Sequence, residues 1–369
     1  MLVNAKPKDR GVSRVPECDL MDIMYRSRKQ FSAGLSGRGI LVVSVTLLLA
    51  SAIWVVMPTI AEWRIASQIE AAGGEVGYEY QGPQWIPTSI HGRLPFLYRL
   101  SDVNLRRGRI TPRCLSELSR LSELRYLSLS GTQVTDADLQ HLAGLIHLEE
   151  LELNGTDVTD EGLRHLNRLR LTSLSLNSLP VTDAGLEHLA HISTLRGIWL
   201  DETRATDQGI AYLSKLPLLH AVSLSGTQVT DKGMASLAKV NGLVQLWLAD
   251  TRVSDQGLSQ LTGLTGLQGL DLSNTQVTGA GMRHLAAFSG MERLKLCNLP
   301  ITDDDLLAFQ RLSRLVDLTL DQTEISDGGL PTLVTLPVGC SIRLRHTAVN
   351  DKAIRILRES YPYHGMRTW

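Results

Sequence analysis

Apolar residues return at a fixed interval along most of the chain. Units begin at Leu100, Leu124, Leu148, Leu171, Leu195, Leu219, Leu243, Leu267, Met291 and Leu315, and a last, degenerate unit begins at Gly339. The period is 24 residues, with one unit of 23. A fixed period of this length is the signature of a solenoid built from stacked repeats.

Each unit carries two kinds of apolar spacing. In the unit from Leu124 to His147 the apolar positions are Leu124, Leu127, Leu129, Val134, Leu139, Leu142 and Leu145. The first three have the spacing of a strand, and the last three, at i, i+3 and i+6, have that of a helix. We predict an α/β solenoid over residues 100–357, about eleven units of strand, turn and short helix, with parallel strands on one face.

Three polar or small positions repeat in step with the leucines. A threonine follows the strand, where its hydroxyl is expected to bond to backbone of the adjacent unit: Thr132, Thr156, Thr203, Thr227, Thr251, Thr275, Thr323 and Thr347. An aspartate precedes the helix, where it is expected to cap free N–H groups: Asp136, Asp160, Asp183, Asp207, Asp231, Asp255, Asp303, Asp327 and Asp351. A glycine two residues later suggests close approach of neighbouring helices: Gly162, Gly185, Gly209, Gly233, Gly257, Gly281 and Gly329.

Two units depart from this pattern. Leu179-Pro180 and Leu299-Pro300 replace the threonine and its neighbour. The threonine series is interrupted there, so the pattern leaves the geometry of these two turns open.

The segment before the repeats contains a candidate membrane span. Residues 40–57 are eighteen residues without a charge, which cover about 27 Å as a helix against a hydrocarbon core of ~30 Å. Arg26, Arg28, Lys29 and Arg38 precede it, whereas Glu62 and Arg64 follow it. This bias predicts a single-pass helix over 39–58 in the cell membrane, a disordered cytoplasmic tail over 1–38, and the repeats outside the cytoplasm.

A cleaved signal peptide is the alternative interpretation of the same segment. Ala50-Ser51-Ala52 resembles a cleavage site, and Met21 or Met24 could be the start. The apolar stretch runs on to Met57, longer than a signal peptide needs, which favours an uncleaved anchor.

Short elements flank the repeats. Residues 59–99 are predicted to cap the first repeat with a helix from Ile60 to Ala72, ending at Gly73-Gly74, an alternating strand EVGYEY and a proline-containing loop over 82–95. Residues 358–369 are predicted to be a C-terminal tail.

Composition adds no chemistry to this picture. The formal net charge is −1, and the four cysteines show no metal-binding spacing. His141, His165 and His188 share one helix position, but repeats lie roughly 10 Å apart, too far for one metal ion. The predicted aspartates and serines fall at structural repeat positions. We therefore predict no catalytic, cofactor, metal or nucleic-acid site.

The repeat string L-x-x-L-x-L-x-x-T-x-V-T-D-x-G-L-x-x-L-x-x-L resembles the leucine-rich repeat family in its 24-residue GALA-type form. The layout is similar to membrane-anchored bacterial leucine-rich repeat proteins, through the segment from Ile65 to Tyr80 and the ending from Leu336 to Ile342. The resemblance implies a curved solenoid that binds proteins through its concave strand face.

Two tryptophans stand out on the predicted strand face. Trp199 and Trp247 lie two strands apart, about 10 Å at the ~4.8 Å strand spacing. Their predicted surroundings are small residues and two acids, namely Gly197, Ala221, Gly269, Asp201 and Asp271. Exposed tryptophans rimmed by polar groups are typical of binding surfaces. The alternative is that each ring only packs over a neighbouring glycine.

The C-terminal end of the same face carries Arg293, Lys295, Arg343 and Arg345. Asp317 and Asp321 interrupt these cations, so a mixed, solvated surface is expected there. The sequence thus favours a non-enzymatic, membrane-anchored module that binds a protein or peptide, with a spacer or adhesion element of the cell envelope as the alternative. It leaves the oligomeric state open.

Overall fold

The computed structural model describes residues 60–84, 86–91, 94–108, 110–350, 352–355 and 365–367. The chain divides into two compact units. One contains the described residues up to Ser67 and those between Gly77 and Leu100; the other contains Gln68–Val76 and the described residues from Ser101 onward.

The smaller unit is held by polar and aromatic contacts. Glu62 is 6% exposed, accepts a hydrogen bond from the Leu100 N–H (3.1 Å) and forms an ion pair with Arg99 (Nε to Oε1, 3.0 Å). The ring of Tyr80 stacks on His91, with centroids 3.8 Å apart. The loop predicted over 82–95 contains a short helix, Thr88–His91, and a 3-10 turn begins at its end, Pro95–Leu97.

The repeats of the larger unit are joined by one sheet, whose first two strands also contain residues of the smaller unit. The strands follow chain order within it: β1 Glu75–Tyr80, β2 Tyr98–Asn104, β3 Tyr126–Ser128, β4 Glu150–Glu152, β5 Ser173–Ser175, β6 Gly197–Trp199, β7 Ala221–Ser223, β8 Gln245–Trp247, β9 Gly269–Asp271, β10 Arg293–Lys295, β11 Asp317–Thr319, β12 Ser341–Arg343 and β13 Gly365–Arg367. From β2 to β13 neighbouring strands are parallel and equivalent repeat positions pair. The predicted parallel strand ladder is confirmed.

The core lies on one side of this sheet. The middle residue of each strand from β3 to β12, for example Leu127, Ile198 or Leu294, is buried. Because successive side chains of a strand point to opposite faces, the first and third residues of each strand face away from this core.

The segment that returns from each strand is a short helix. The α-helical pieces in the repeats are Pro112–Leu118, Asp136–Leu139, Asp160–Leu163, Asp183–Leu189, Asp207–Leu213, Asp231–Leu237, Asp255–Gln260 and Leu330–Leu333; residues 60–71 and 352–355 are also helical. Four 3-10 pieces accompany them, Gln140–Gly144, Arg164–Leu166, Leu261–Gly263 and Asp327–Gly329. In two repeats the whole segment is 3-10, Gly279–Ala287 and Asp303–Arg311. Apolar residues at every third position suit the three residues per turn of a 3-10 helix.

We predicted from the sequence that the repeated aspartates cap their own helices, and this prediction is wrong. The N-cap is the preceding threonine or serine: Thr206 accepts a hydrogen bond from the Gln208 N–H. The carboxylate instead reaches the next repeat. Asp183 accepts the Thr206 N–H at 2.8 Å and the Thr206 hydroxyl at 2.6 Å. We call this pair of bonds the aspartate link.

Among the described repeats that follow the first, two lack an incoming aspartate link, and each supplies a substitute. The linking aspartate usually stands 23 residues before the threonine that it binds. That residue is Pro112 for Thr135 and Gly279 for Thr302. In these repeats the threonine N–H and hydroxyl bond to an aspartate of their own helix, Asp138 or Asp305.

The other two periodic positions have local explanations. The Thr132 hydroxyl donates to the Leu129 carbonyl of its own repeat at 2.6 Å, so the predicted bond to an adjacent repeat is wrong. The predicted close approach at glycine is confirmed. A Cβ added to Gly162 would lie 2.4 Å from Oδ1 of Asp136 in the preceding repeat.

The Leu-Pro repeats keep the common turn. Leu179 and Leu299 are buried in place of the threonine. The residues before them, Ser178 and Asn298, have φ of 59° and 53°, close to the 57° to 70° of the corresponding residues in other repeats. The interrupted threonine series leaves the strand register unchanged.

The ends of the array show one agreement and one difference. Residues 60–71 form the predicted helix, and Gly74 lies against the first repeat, where an added Cβ would meet the Asn104 carbonyl at 2.8 Å. The segment 358–369, predicted as a tail, contains strand β13, which continues the parallel ladder beyond β12. Its backbone can pair because β12 otherwise leaves a free edge.

Within the described ranges, no helix has the length and apolar content that a membrane span requires. The tail and anchor predicted over 1–38 and 39–58 lie outside those ranges.

Candidate functional site: the strand face

The strand face consists of the residues that point away from the core on β2 to β12. They are Asp102, Asn104, Tyr126, Ser128, Glu150, Glu152, Ser173, Ser175, Gly197, Trp199, Ala221, Ser223, Gln245, Trp247, Gly269, Asp271, Arg293, Lys295, Asp317, Thr319, Ser341 and Arg343. Apart from Asp102 and Asn104, which end the longer strand β2, all are on three-residue strands. A buried leucine, isoleucine or valine fixes each strand, so the ladder sets the spacing of these residues.

The two tryptophans are at the centre of this face. Trp199 pairs in register with Ser223, and Ser223 pairs with Trp247, so one strand separates the two rings. Both side chains are half-buried. They are the largest side chains of the face, and their neighbours across β7, Ala221 and Ser223, are small.

Trp199 and Trp247 differ in what lies beneath them. The Trp199 ring covers Gly197, since a Cβ built there would be 2.6 Å from Cη2. This is the glycine packing considered as the alternative for both tryptophans. Beside Trp247 the corresponding residue is Gln245, so glycine packing does not account for it.

The two acids predicted near the tryptophans are engaged in the sheet. Asp201 accepts hydrogen bonds from the Ser223 hydroxyl and from the Ser225 N–H (2.9 Å). Asp271, 7% exposed, accepts the Ser273 N–H at 3.0 Å and pairs with Lys295 Nζ at 3.0 Å. Both therefore have structural partners already.

The N-terminal end of the strand face is acidic. Asp102, Glu150 and Glu152 lie on β2 and β4, with Tyr126 between them on β3. Burial raises the pKa of Glu150, and the charges of Glu152, Glu149 and Asp102 raise it further. Burial, with Glu152 next in importance, raises the pKa of Tyr126 to about 12. These shifts report negative charge that no strand-face cation on β2 to β9 offsets.

The C-terminal end is basic but partly paired. Burial opposes the charge of Lys295, yet the nearby Asp271 carboxylate outweighs it, so the pKa of Lys295 lies above its ordinary value. Arg343 contacts both oxygens of Asp317, at 3.0 and 3.1 Å. The predicted mixture of charges is present, and it is organised as ion pairs.

Within the described ranges, no group of three or more His, Cys, Asp or Glu residues could hold a metal ion. The strand face presents aromatic rings, hydroxyls and charges, which suit recognition of another polypeptide.

Comparison with known proteins agrees with this architecture. The Leucine Rich repeat family model matches residues 144–166 and 215–238. An internalin from Listeria monocytogenes is similar in structure, with a TM-score of 0.52 and 19% identity, covering 70% of this chain and 88% of its own. The chain therefore contains leucine-rich repeats and has the fold of a leucine-rich repeat solenoid.

Two further comparisons complete the picture of this leucine-rich repeat protein. Internalin C2 from the same organism has a TM-score of 0.45 and 22% identity, over 63% of this chain and 92% of its own. No curated protein matches the sequence. The GALA-type subclass stays a prediction.

One feature of the strand face, the buried hydroxyl of Thr319, was not predicted from the sequence. Thr319 on β11 is 3% exposed, and no hydrogen-bond partner of its hydroxyl lies in the described part of the chain. Its flanking residues in register are Lys295 and Arg343. In the sequence this position looks like any other strand-face threonine, because its burial depends on how the neighbouring side chains are arranged.

Gly197→Ala tests the contact beneath Trp199. The new methyl group would collide with the indole, so we expect a loss of about 1–3 kcal/mol of unfolding free energy, or rotation of the ring into solvent. Urea unfolding and tryptophan fluorescence measure both. Gly269→Ala is the matched control, because its Cβ would find its nearest atom at 3.6 Å. Equal effects of the two changes would contradict this packing.

Proposed function

We propose that this leucine-rich repeat protein binds a protein or peptide partner on its strand face, with Trp199 and Trp247 as the central contacts. The observation that carries the proposal is the pair of half-buried tryptophans two strands apart, set among small residues on a regular sheet. Tryptophan is the residue type that contributes most often to interface energy.

Rigidity of the face supports the same proposal. Hydrogen bonds between repeats hold Asp201 and the neighbouring loops, for example the Asp201 N–H to Asn177 Oδ1 at 2.8 Å. A face that is already ordered loses little conformational entropy on binding. The aspartate links add the same support along the helical side. Binding rather than catalysis is the chemistry that such a surface offers.

Trp199→Ala with Trp247→Ala tests the proposal. We expect binding of a crosslink-identified partner to weaken at least about a hundredfold, because two central aromatic contacts are lost. Unfolding free energy should change far less than with a core substitution. Titration calorimetry and urea unfolding measure the two quantities. Leu307→Ala, at a 61% exposed helix position, is the control.

Two results would count against partner binding. If the double variant kept full affinity, the face would not be the binding surface. If no strand-face change mattered but deletion of two whole repeats did, the chain would act as a spacer.

We also propose that residues 40–57 anchor the repeats to the cell membrane, with the repeats outside the cytoplasm. The support is the uncharged run and the arginines and lysine that precede it. Protease added to intact cells should then digest the repeats. Recovery of the intact chain from the soluble cytosolic fraction would overturn this.

A further inference from the structure

The strand face has opposite charges at positions equidistant from β7. Three strands before β7 lies β4, with Glu150 and Glu152; three strands after it lies β10, with Arg293 and Lys295. The tryptophans follow the same rule, since Trp199 on β6 and Trp247 on β8 flank β7. The face is therefore complementary to itself when its strand order is reversed.

One symmetric arrangement of two copies reverses strand order and keeps strand direction. It places a twofold axis between two facing sheets, parallel to the strands and over β7. Glu150 then faces Arg293, Glu152 faces Lys295, and Trp199 faces Trp247. An axis across the strands would instead set each strand antiparallel to its own copy, with Glu150 against Glu152, at a cost in repulsion.

We propose that the strand face binds a second copy of this chain, face to face about β7. This proposal rests on the proposed function, and it identifies the protein partner as a second copy of the chain. A twofold dimer uses the same patch on both copies, so it requires a self-complementary surface. Each matched contact occurs twice in such a dimer.

In the facing copy, β3 lies opposite β11. The Tyr126 phenol, un-ionised at neutral pH with its pKa at about 12, then faces the Asp317 carboxylate as a hydrogen-bond donor.

The charges available for these contacts differ along the face. Arg293 forms no ion pair within the described residues, so it is free to meet Glu150. Lys295 would share its charge between Asp271 and the facing Glu152. Arg106 follows β2 and Arg345 follows β12, so these two cations of opposite copies would approach each other. Their repulsion would limit the contact to the strand face.

Charge reversal gives the decisive test. The full chain is purified in detergent, and its mass is followed by light scattering as it is diluted. Glu150→Arg alone and Arg293→Glu alone should each weaken the dimer about a hundredfold or more, since both copies of the contact become repulsive. Mixed one to one, the two variants should recover the dimer, because every Arg then faces a Glu.

A crosslink locates the axis. Ala221 lies on β7 and faces its own copy, so Ala221→Cys should be linked to itself by a short bismaleimide. Ser173→Cys, on β5, is the control, because its copies would lie four strands apart, about 19 Å. The unchanged chain, with its own cysteines, gives the background.

Recovery of the dimer on mixing, together with the Ala221→Cys crosslink, supports the proposal. A monomer at every concentration, or a dimer that both charge reversals leave intact, overturns it. If the chain is monomeric but the tryptophan double variant still loses another partner, only the dimer is wrong. If the dimer forms through another surface, the facing arrangement is wrong whatever the tryptophans bind.

Discussion

Asp207→Ala is expected to lower the free energy of unfolding by about 3 kcal/mol, because hydrogen bonds to a charged group are each worth ~1.5–3 kcal/mol. The Asp207 carboxylate accepts three hydrogen bonds from the next repeat. They come from the Thr230 N–H (2.8 Å), the Thr230 hydroxyl (2.7 Å) and the Gly233 N–H (2.9 Å). Its removal leaves the Thr230 N–H at the helix start without its acceptor, whereas the Gly233 N–H keeps its bond to the Thr230 carbonyl at 3.0 Å.

Two companion variants define what urea unfolding should show. Asp207→Asn keeps an acceptor but loses the charge, so its effect should lie between that of alanine and the unchanged chain. Asp157→Ala is the control, because Asp157 is exposed and its described bond is made by backbone. We expect that change to stay within about 0.5 kcal/mol. A loss below 1 kcal/mol for Asp207→Ala would show that the aspartate link is dispensable.

Phe309→Ala should cost about 3–5 kcal/mol, the usual range for emptying a buried phenylalanine site. Phe309 and Phe288 are the two largest fully buried side chains among the described residues. Other repeats hold a leucine at the position of Phe309, for example Leu285 and Leu333. Phe309→Leu therefore restores the common residue and should cost only about 1–1.5 kcal/mol.

Hydrogen exchange can localise the Phe309 effect. Each repeat of a solenoid contacts only its neighbours, so the damage should concentrate on β9 to β11 and leave β3 to β5 protected. Uniform loss of protection along the ladder would instead show that the array unfolds as one cooperative unit.

Periodicity predicted the fold better than it predicted the polar contacts. The strand register follows from leucines such as Leu127 and Leu151, because a strand has only two faces and one must be buried. The aspartates were assigned to their own helices because one repeat viewed alone gives a carboxylate no other donor. Their actual partners lie 22 or 23 residues further on, in the next repeat.

The exceptions were nevertheless readable in the sequence. Asp138 and Asp305 stand three residues after their threonines in the two repeats whose predecessors have Pro112 and Gly279. Asp138 and Asp305 replace the missing aspartate links. The pattern of aspartates is therefore visible in the sequence, but the structure was needed to show which groups they bind.

The strand face was predictable in position and less so in detail. The spacing of Trp199 and Trp247 followed from the ladder, and the ring over Gly197 was one of two interpretations. The Lys295–Asp271 pair and the buried Thr319 hydroxyl were not predicted, since they depend on side-chain rotamers that periodicity does not specify.

The aspartate link gives the array a direction. Every carboxylate reaches toward the C-terminus, as Asp327 still does with the Asn350 N–H at 2.7 Å. Deleting repeats from the C-terminal end would leave only carboxylate acceptors without a partner, and water can replace that partner. Deleting repeats from the N-terminal end would leave backbone and hydroxyl donors without a partner, unless the new first repeat had its own acid. Growth or loss of repeats by recombination is therefore easier at one end than at the other.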